Sequence, residues 1–358
     1  MNEFGSRYRV GIFGSSHGPC VGAKIEGCPP GSRISEAVIQ VELDRRSPGK
    51  GVHTTPRKER DRLELISGII DGKATGATIV GLVRNTDKDS SAYDSFRRVP
   101  RPGHADYPSM VKYQGHHDHR GGGQFSGRMT AGLVIAGAIA RQVIGKKGVG
   151  IVAQTVQIGG VKLDKEIPSS IAERVARANA VGCADRNVAK EMIEEIVRAH
   201  ENKDSVGGIV KCTVRGVPVG VGEPFFNSIE SVMSAMMFSI PGVKGVEFGS
   251  GFRAASMTGS EHNDPFIVRN GKIVTKTNNA GGVLGGLSNG MPIEFRVAFK
   301  PTSSIAGPQM SVDIQKKTTV ELEVKGRHDP CIVPRAVPVV ENSAAAVILD
   351  LMLQGGSI

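Results

Sequence analysis

Two segments constrain this chain more than any others: TAGLVIAGAIARQVI at 130–144 and ENSAAAVILDLML at 341–353 are apolar on nearly every face of a helix. A helix of that kind cannot lie on a surface and must be buried between layers. Most other segments read as strands, among them RYRVGIFG, VGAKIEG, LELISGII, ATIVGLVRN, GIVAQTVQIGGV, GGIVKCTVRGVPVG, PIEFRVAFK and TTVELEVKG. They come in neighbouring pairs separated by Gly or Pro turns, which favours antiparallel meanders. Helices are expected over Ser35 to Arg45, Ser126 to Ile144, Arg186 to His200, Ser228 to Phe238 and Val340 to Leu353. Strand pairs alternating with buried helices predict an α+β class, a β-α-β sandwich with helices between antiparallel sheets. With no polar linker and no short repeat in 358 residues, one large domain spanning 1–358 is the expected organisation.

Composition narrows the function. The 47 glycines are nearly double an average usage of about 7%, which implies many tight turns and close backbone approaches. The chain has no Trp and 4 Tyr, a poor supply of platforms for stacking nucleic-acid bases. Its net charge of +10 still points to polyanionic partners. Lys and Arg are scattered, and the short clusters RRSPGK and PRKERDR suit a small ligand bearing phosphate or carboxylates better than a duplex. The 5 cysteines form no C-x-x-C pair, so a reducing, cytoplasmic home is expected. No targeting segment precedes the first strand, and the run from Ala131 to Ala140 is too short for a membrane span.

Gly14-Ser15-Ser16-His17-Gly18 matches the Gly-x-Ser-x-Gly pattern of a serine-hydrolase elbow, which requires a strand before the serine and a helix after it. Here Pro19 follows at once, and CVGAKIEGCPPG reads as a second strand ending in a turn. The pentapeptide is therefore expected on a hairpin connection, which leaves His17 as the residue to explain. No Gly-x-Gly-x-x-Gly joins a strand to a helix, and no P-loop is present.

The most loop-like region runs from Asn85 to Gly123, and long ordered loops of this kind are usually functional. It holds His104 beside Asp106, the three histidines His116, His117 and His119, and Gly121, Gly122 and Gly123. The glycines lead toward the buried helix, so they are either an anion-binding start to it or a flexible turn. The three histidines lack a fourth ligand at a known zinc spacing, and no metal is expected. A second glycine-dense loop, Asn279 to Gly290, precedes a strand ending in Lys300, Pro301, Thr302, Ser303 and Ser304, whose ammonium and hydroxyls suit a phosphate. Arg327, His328 and Asp329 follow the last strand.

Taken together, the ordered motifs FGSSHGP, LDRRSPG, TTPRKE, RPGHADY, RGGGQFSGRMTA, GEPFF, SIPGVKGVEFGSGF, NNAGGVLGGLSNGMPI, KPTSSI and KGRHDPCIVPRAVPVVE resemble the chorismate synthase family from about Arg7 to Leu353. The resemblance implies a lyase that removes phosphate and a ring proton from 5-enolpyruvylshikimate 3-phosphate by 1,4-anti elimination. It further implies reduced FMN as cofactor, although no net redox change occurs, and a homotetramer of β-α-β sandwiches. Neither nucleic acid nor membrane is an implied partner. By the same resemblance His17 protonates the leaving phosphate, His104 steadies the charge of the reduced flavin, and Asp329 assists proton traffic at its N5. Flavin contacts are implied for Gln124, Phe125, Ser126, Pro241, Gly242, Gly285, Lys300 to Ser304 and Arg327. Substrate contacts are implied for Ser16, Arg45, Arg46, Arg128 and Arg335.

The chain departs from the family pattern at several points. The usual Gly-Glu-Ser-His-Gly has Ser15 for the glutamate, the usual Arg-Ser-Ser after the glycines is Gln124-Phe125-Ser126, and a glutamate beyond it is Met129. An arginine that the family associates with nicotinamide nucleotides aligns near Val52, which bears on an intrinsic flavin reductase. A paralogue that binds flavin or polyanions without the activity is the alternative these changes leave open.

Overall fold

The computed structural model describes residues 2–47, 61–86, 90–326 and 329–358. Two five-stranded antiparallel sheets enclose a double layer of helices. The first sheet runs Glu3–Phe4, Arg9–Gly14, Cys20–Glu26, Ile79–Arg84, Leu63–Ser67 in spatial order. The second runs Val243–Phe248, Ile293–Phe299, Gly208–Arg215, Gly150–Ile158, Val161–Lys162. In Ile293–Phe299 the residues Ile293, Phe295, Val297 and Phe299 are buried while those between them are half-buried, the period-2 signature of a sheet covered on one face.

The helix Thr130–Gly145 packs on the first sheet and the helix Val333–Gln354 on the second, and the two press against each other. Gly137 makes that close approach possible: a Cβ there would stand 1.9 Å from the carbonyl oxygen of Asn342. From Ala336 to Met352 every residue is buried. Among the described residues, Val333–Gln354 is the helix with the length and apolarity of a membrane span, and it is enclosed by the protein's own sheets. Several of its buried polar groups fix neighbours. Asp350 Oδ1 accepts from the backbone N–H groups of Ser6, Arg7 and Tyr8 at 3.0, 2.6 and 2.8 Å, tying the N-terminal segment to the core.

The α+β sandwich is as expected, with four differences in detail. Val333–Gln354 begins seven residues before the expected Val340 because Pro334 sits in its first turn, where no N–H is needed. The helix at 130 starts after, not at, Ser126, because the intervening residues form 3₁₀ turns. The second sheet is not a meander of chain neighbours, since Ile293–Phe299 lies between Gly208–Arg215 and the unforeseen strand Val243–Phe248. The helices Asp106–Lys112 and Ser169–Arg177 were also not foreseen.

Candidate active site

Arg9–Gly14 pairs with Cys20–Glu26 in register Gly14↔Val21, so Ser15 to Pro19 form the hairpin connection and no helix follows Ser16. The elbow geometry of a serine hydrolase is absent from this loop. Ser16 N–H donates to Gly123 O at 3.2 Å, and Ser15 Oγ donates to Asp118 Oδ2 at 3.0 Å, a carboxylate at the position where the family's glutamate is missing. His17 is only 5% exposed, its Nδ1 lies 2.8 Å from Ser90 Oγ, and its ring meets Tyr93 edge-on at 5.2 Å between centroids.

The glycine triplet has a different use from either expectation. Gly121, Gly122 and Gly123 all have positive φ and sit before the helix rather than at its start. A Cβ on Gly121 would stand 2.2 Å from His17 Cδ2, and one on Gly122 3.3 Å from His104 Nε2. These glycines let two histidines from distant parts of the chain approach one strip of backbone.

His104 is held from behind. Its Nδ1 lies 2.5 Å from Asp106 Oδ1, and Arg101 donates to Asp106 through Nε and Nη2, each at 2.8 Å. Burial alone would raise the Asp106 carboxyl, but hydrogen bonds from Arg101 and His104 outweigh it and hold the group well below the usual carboxylate range. An ionised Asp106 only accepts, so His104 Nδ1 carries the hydrogen, which fixes the tautomer. Arg101 itself stacks on Phe96 at 4.5 Å and donates to Ser304 Oγ at 3.1 Å.

A second group gathers around Asp61, which is fully buried. Arg46 donates to Asp61 Oδ2 from Nε at 3.2 Å and Nη2 at 2.5 Å, and Arg128 donates to Oδ1. Burial favours the neutral acid, yet the two guanidiniums bring the Asp61 pKa down to about 2. Asp329 accepts from Arg335, whose Nε donates to Arg46 O at 3.1 Å, and Thr302 Oγ1 donates to Asp329 O at 2.8 Å. Lys300 donates to Gly103 O, and burial together with Lys244 lowers its ammonium pKa.

Both groups border one cavity of about 650 Å³ through some of their members, a size ordinary for small-molecule sites. Its wall includes Ser16, His104, Gln124, Phe125, Ser126, Pro241, Gly242, Lys300, Pro301, Thr302, Ser303, Ser304 and Asp329, together with Arg46, Arg128 and Arg335. His17 stands just behind Ser16 and Gly121 rather than on the wall. Two expected residues lie elsewhere. Arg45 faces Glu42 and Glu341, and Gly285 forms the turn of the small hairpin Val283–Leu284 and Leu287–Ser288. Arg327 lies outside the described residues. Sequence reading did not single out Arg101, Asp61, Asn85 or Ser90. In PRKERDR, Asp61 looks like any solvated charge, and only the fold turns it inward.

A cavity lined by arginines, with His104 on its wall and His17 behind it, set inside an α+β sandwich, is the setting of an enzyme that takes a small molecule. Residues 8–353 match the family model described as chorismate synthase. Curated relatives named chorismate synthase include those of Methanothermobacter thermautotrophicus, 48% identical over 100% of this chain and 95% of its own, and Korarchaeum cryptofilum, 49% identical over 98% and 97%. A crystal structure of chorismate synthase superposes with a TM-score of 0.77 at 27% identity, covering 98% of this chain and 93% of that one. The chain belongs to the chorismate synthase family and is a carbon–oxygen lyase acting on phosphates.

Proposed function

We propose that this enzyme converts 5-enolpyruvylshikimate 3-phosphate to chorismate and phosphate by 1,4-anti elimination, with reduced FMN as cofactor. The observation that carries the reading is one cavity that collects His104, Asp329, Ser16 and four arginines, with His17 directly behind. The donor set fits both molecules. Lys300 and the hydroxyls of Thr302, Ser303 and Ser304 suit a phosphate, the apolar Phe125, Ile240 and Phe299 suit a flat ring, and Arg46, Arg128 and Arg335 suit the substrate's phosphate and carboxylates. Reduced flavin, when bound, supplies the electron-rich ring on which this family's elimination depends.

In this reading His17 donates the proton that the departing phosphate takes up, its ring oriented by Ser90 and Gly121. His104, fixed as the Nδ1–H tautomer by Asp106, presents its other nitrogen toward the glycine strip. Asp329, tied to Arg335, takes part in moving the ring proton away. Ser16 orients neighbours and forms no covalent bond. One domain, a homotetramer and a cytoplasmic setting complete the proposal, in line with a hydrophobic core that joins both sheets and with five unbridged cysteines. Nucleic acid and membrane have no part in it: Arg46, Arg101 and Arg128 are buried around the cavity rather than displayed outside.

The test is phosphate release under anaerobic conditions with chemically reduced FMN. Release with reduced but not oxidised flavin is expected; equal rates with both, or none with either, would overturn the reading in favour of a paralogue that only binds. His17→Ala is expected to slow release by roughly 10²- to 10⁴-fold and Ser16→Ala far less. The reverse ranking would return Ser16 to the role of nucleophile.

A further inference from the structure

Asn85 follows the strand Ile79–Arg84, is 6% exposed, and has its backbone N–H and both side-chain polar atoms engaged. Its backbone N–H donates to Pro19 O at 3.1 Å. Its Nδ2 donates to Ser15 O at 3.0 Å and Gly18 O at 2.9 Å, while its Oδ1 accepts from Arg128 Nε at 3.0 Å. Two carbonyls can only accept and a guanidinium can only donate, so one amide orientation satisfies all three. Among side chains of this length only asparagine offers two donors and an acceptor together. Ser15 and Gly18 flank Ser16 and His17, so the amide clamps both ends of the loop that carries them.

On its other side the amide grips an arginine that is already bound to Asp61. The cluster sets the Asp61 carboxylate between the guanidiniums of Arg46 and Arg128, and both arginines line the cavity. In the function proposed above, these arginines hold the substrate's anionic groups.

We propose that Asn85 is a positioning residue that registers the Ser16–His17 loop to the guanidinium of Arg128, fixing the proton donor's place relative to the anion-holding arginines. The proposal rests on the function proposed above and adds to it the device that aligns its two halves. Arg128 cannot shift toward a bound anion without moving Oδ1, and through the same amide plane the loop on which His17 sits. Ser90 and Tyr93 hold the His17 ring, and Tyr93 meets the guanidinium of Arg101 at 5.6 Å, whereas Asn85 ties the loop to Arg128.

The experiment uses Asn85→Asp, which keeps the shape but turns acceptors toward two carbonyls, and Asn85→Ser, a milder loss of reach. Thermal melts establish folding, ¹⁵N imidazole spectra report on each histidine, and phosphate-release kinetics give kcat and KM. The expectation for Asn85→Asp is a fall in kcat of roughly 10- to 100-fold, larger than its change in KM, with displaced His17 resonances and unmoved His104 resonances. Asn85→Ser shows the same pattern more weakly, and decides the matter where Asn85→Asp does not fold. In a His17→Ala background Asn85→Ser costs little more, because it acts through that residue. Unchanged His17 resonances in a folded variant, or fully additive losses in the double variant, overturn the proposal. Wild-type enzyme that releases no phosphate with reduced FMN instead overturns the proposed function, while the spectra still decide the link between Asn85 and His17.

Discussion

Two buried charge clusters lie on either side of the helix Glu36–Arg46, and its last two residues are divided between them. Arg46 enters the cavity cluster with Asp61 and Arg128. Arg45 enters a core cluster with Glu42, Glu341, Arg141 and, at its edge, Arg177. In the core cluster the acids are innermost. Glu341 is 1% exposed and also accepts from Ala153 N–H at 2.8 Å, while the side chains of Arg45 and Arg141 keep 19% of their surface in water. At the cavity the acid is again innermost, but the arginines are buried with it: Arg46 is 2% exposed, and one carboxylate serves two guanidiniums. The first arrangement is satisfied by the protein's own groups, Arg177 taking Glu173 as its further acid at 3.2 Å. The second has its arginines on the cavity wall, where a ligand can reach them, and that difference separates a structural ion cluster from a binding one more clearly than burial does.

The strongest way to break the comparison is Glu341→Ala. It leaves Arg45 and Arg141 without their central acid and Ala153 N–H without its acceptor, and is expected to cost about 3–5 kcal/mol of stability. Turnover per folded molecule should stay within about threefold, because Glu341 does not border the cavity. Urea unfolding beside kcat/KM checks it; a folded variant with severely impaired turnover would show that the core cluster also serves the reaction.

Acid acts next. The Asp61 carboxyl sits at about 2 against an ordinary 3.8, so its folded-state pKa is depressed. The stability it contributes is whole above about pH 4 and is lost as pH falls through about 2. The shift corresponds to about 2 kcal/mol. Glu341 is held low as well, since Arg45 and Arg141 outweigh the effect of its burial, so both clusters weaken in the same direction. Asp61→Asn should remove its share of the acid slope, read as unfolding free energy between pH 5 and 2. An unaltered slope would mean that the Arg46 and Arg128 pairing is not felt by the carboxyl.

Much of this architecture was legible in the chain. The two apolar helices announced a buried layer, and Pro19 after Gly-Ser-Ser-His-Gly announced a hairpin rather than an elbow. Partners far apart in sequence were not legible. Asp61 and Arg128, or Asn85 and Ser15, meet only because the first sheet sets Ile79–Arg84 beside Cys20–Glu26, and nothing local to either residue encodes the contact. The glycine triplet misled for a related reason. Its sequence shows freedom of φ, but only the fold shows that this freedom accommodates two histidine rings. Val243–Phe248 was missed because its own alternation is weak and its place is decided by Ile293–Phe299.

The finest test asks whether Arg45 and Arg46, adjacent and chemically identical, are interchangeable with lysine. Successive helical residues point about 100° apart, which is why neighbours can serve different clusters. Arg45 bridges its two acids through one nitrogen: Nη1 lies 2.6 Å from Glu42 Oε2 and 2.5 Å from Glu341 Oε2. A lysine ammonium is likewise a single compact donor, so Arg45→Lys can rebuild the bridge. It is expected to lower stability by about 1 kcal/mol or less and to leave KM within about twofold. Arg46 uses its whole fork, with Nε and Nη2 on Asp61 Oδ2 and Nη1 reaching toward Thr130 Oγ1 at 3.4 Å. No single nitrogen can span those positions, so Arg46→Lys keeps the charge but loses the planar geometry, and KM for substrate should rise about tenfold. Steady-state kinetics on the two variants side by side decide the point. Equal KM values would mean that charge alone is what the cavity requires, and a larger rise for Arg45→Lys would place the substrate's anion on the core side of the helix.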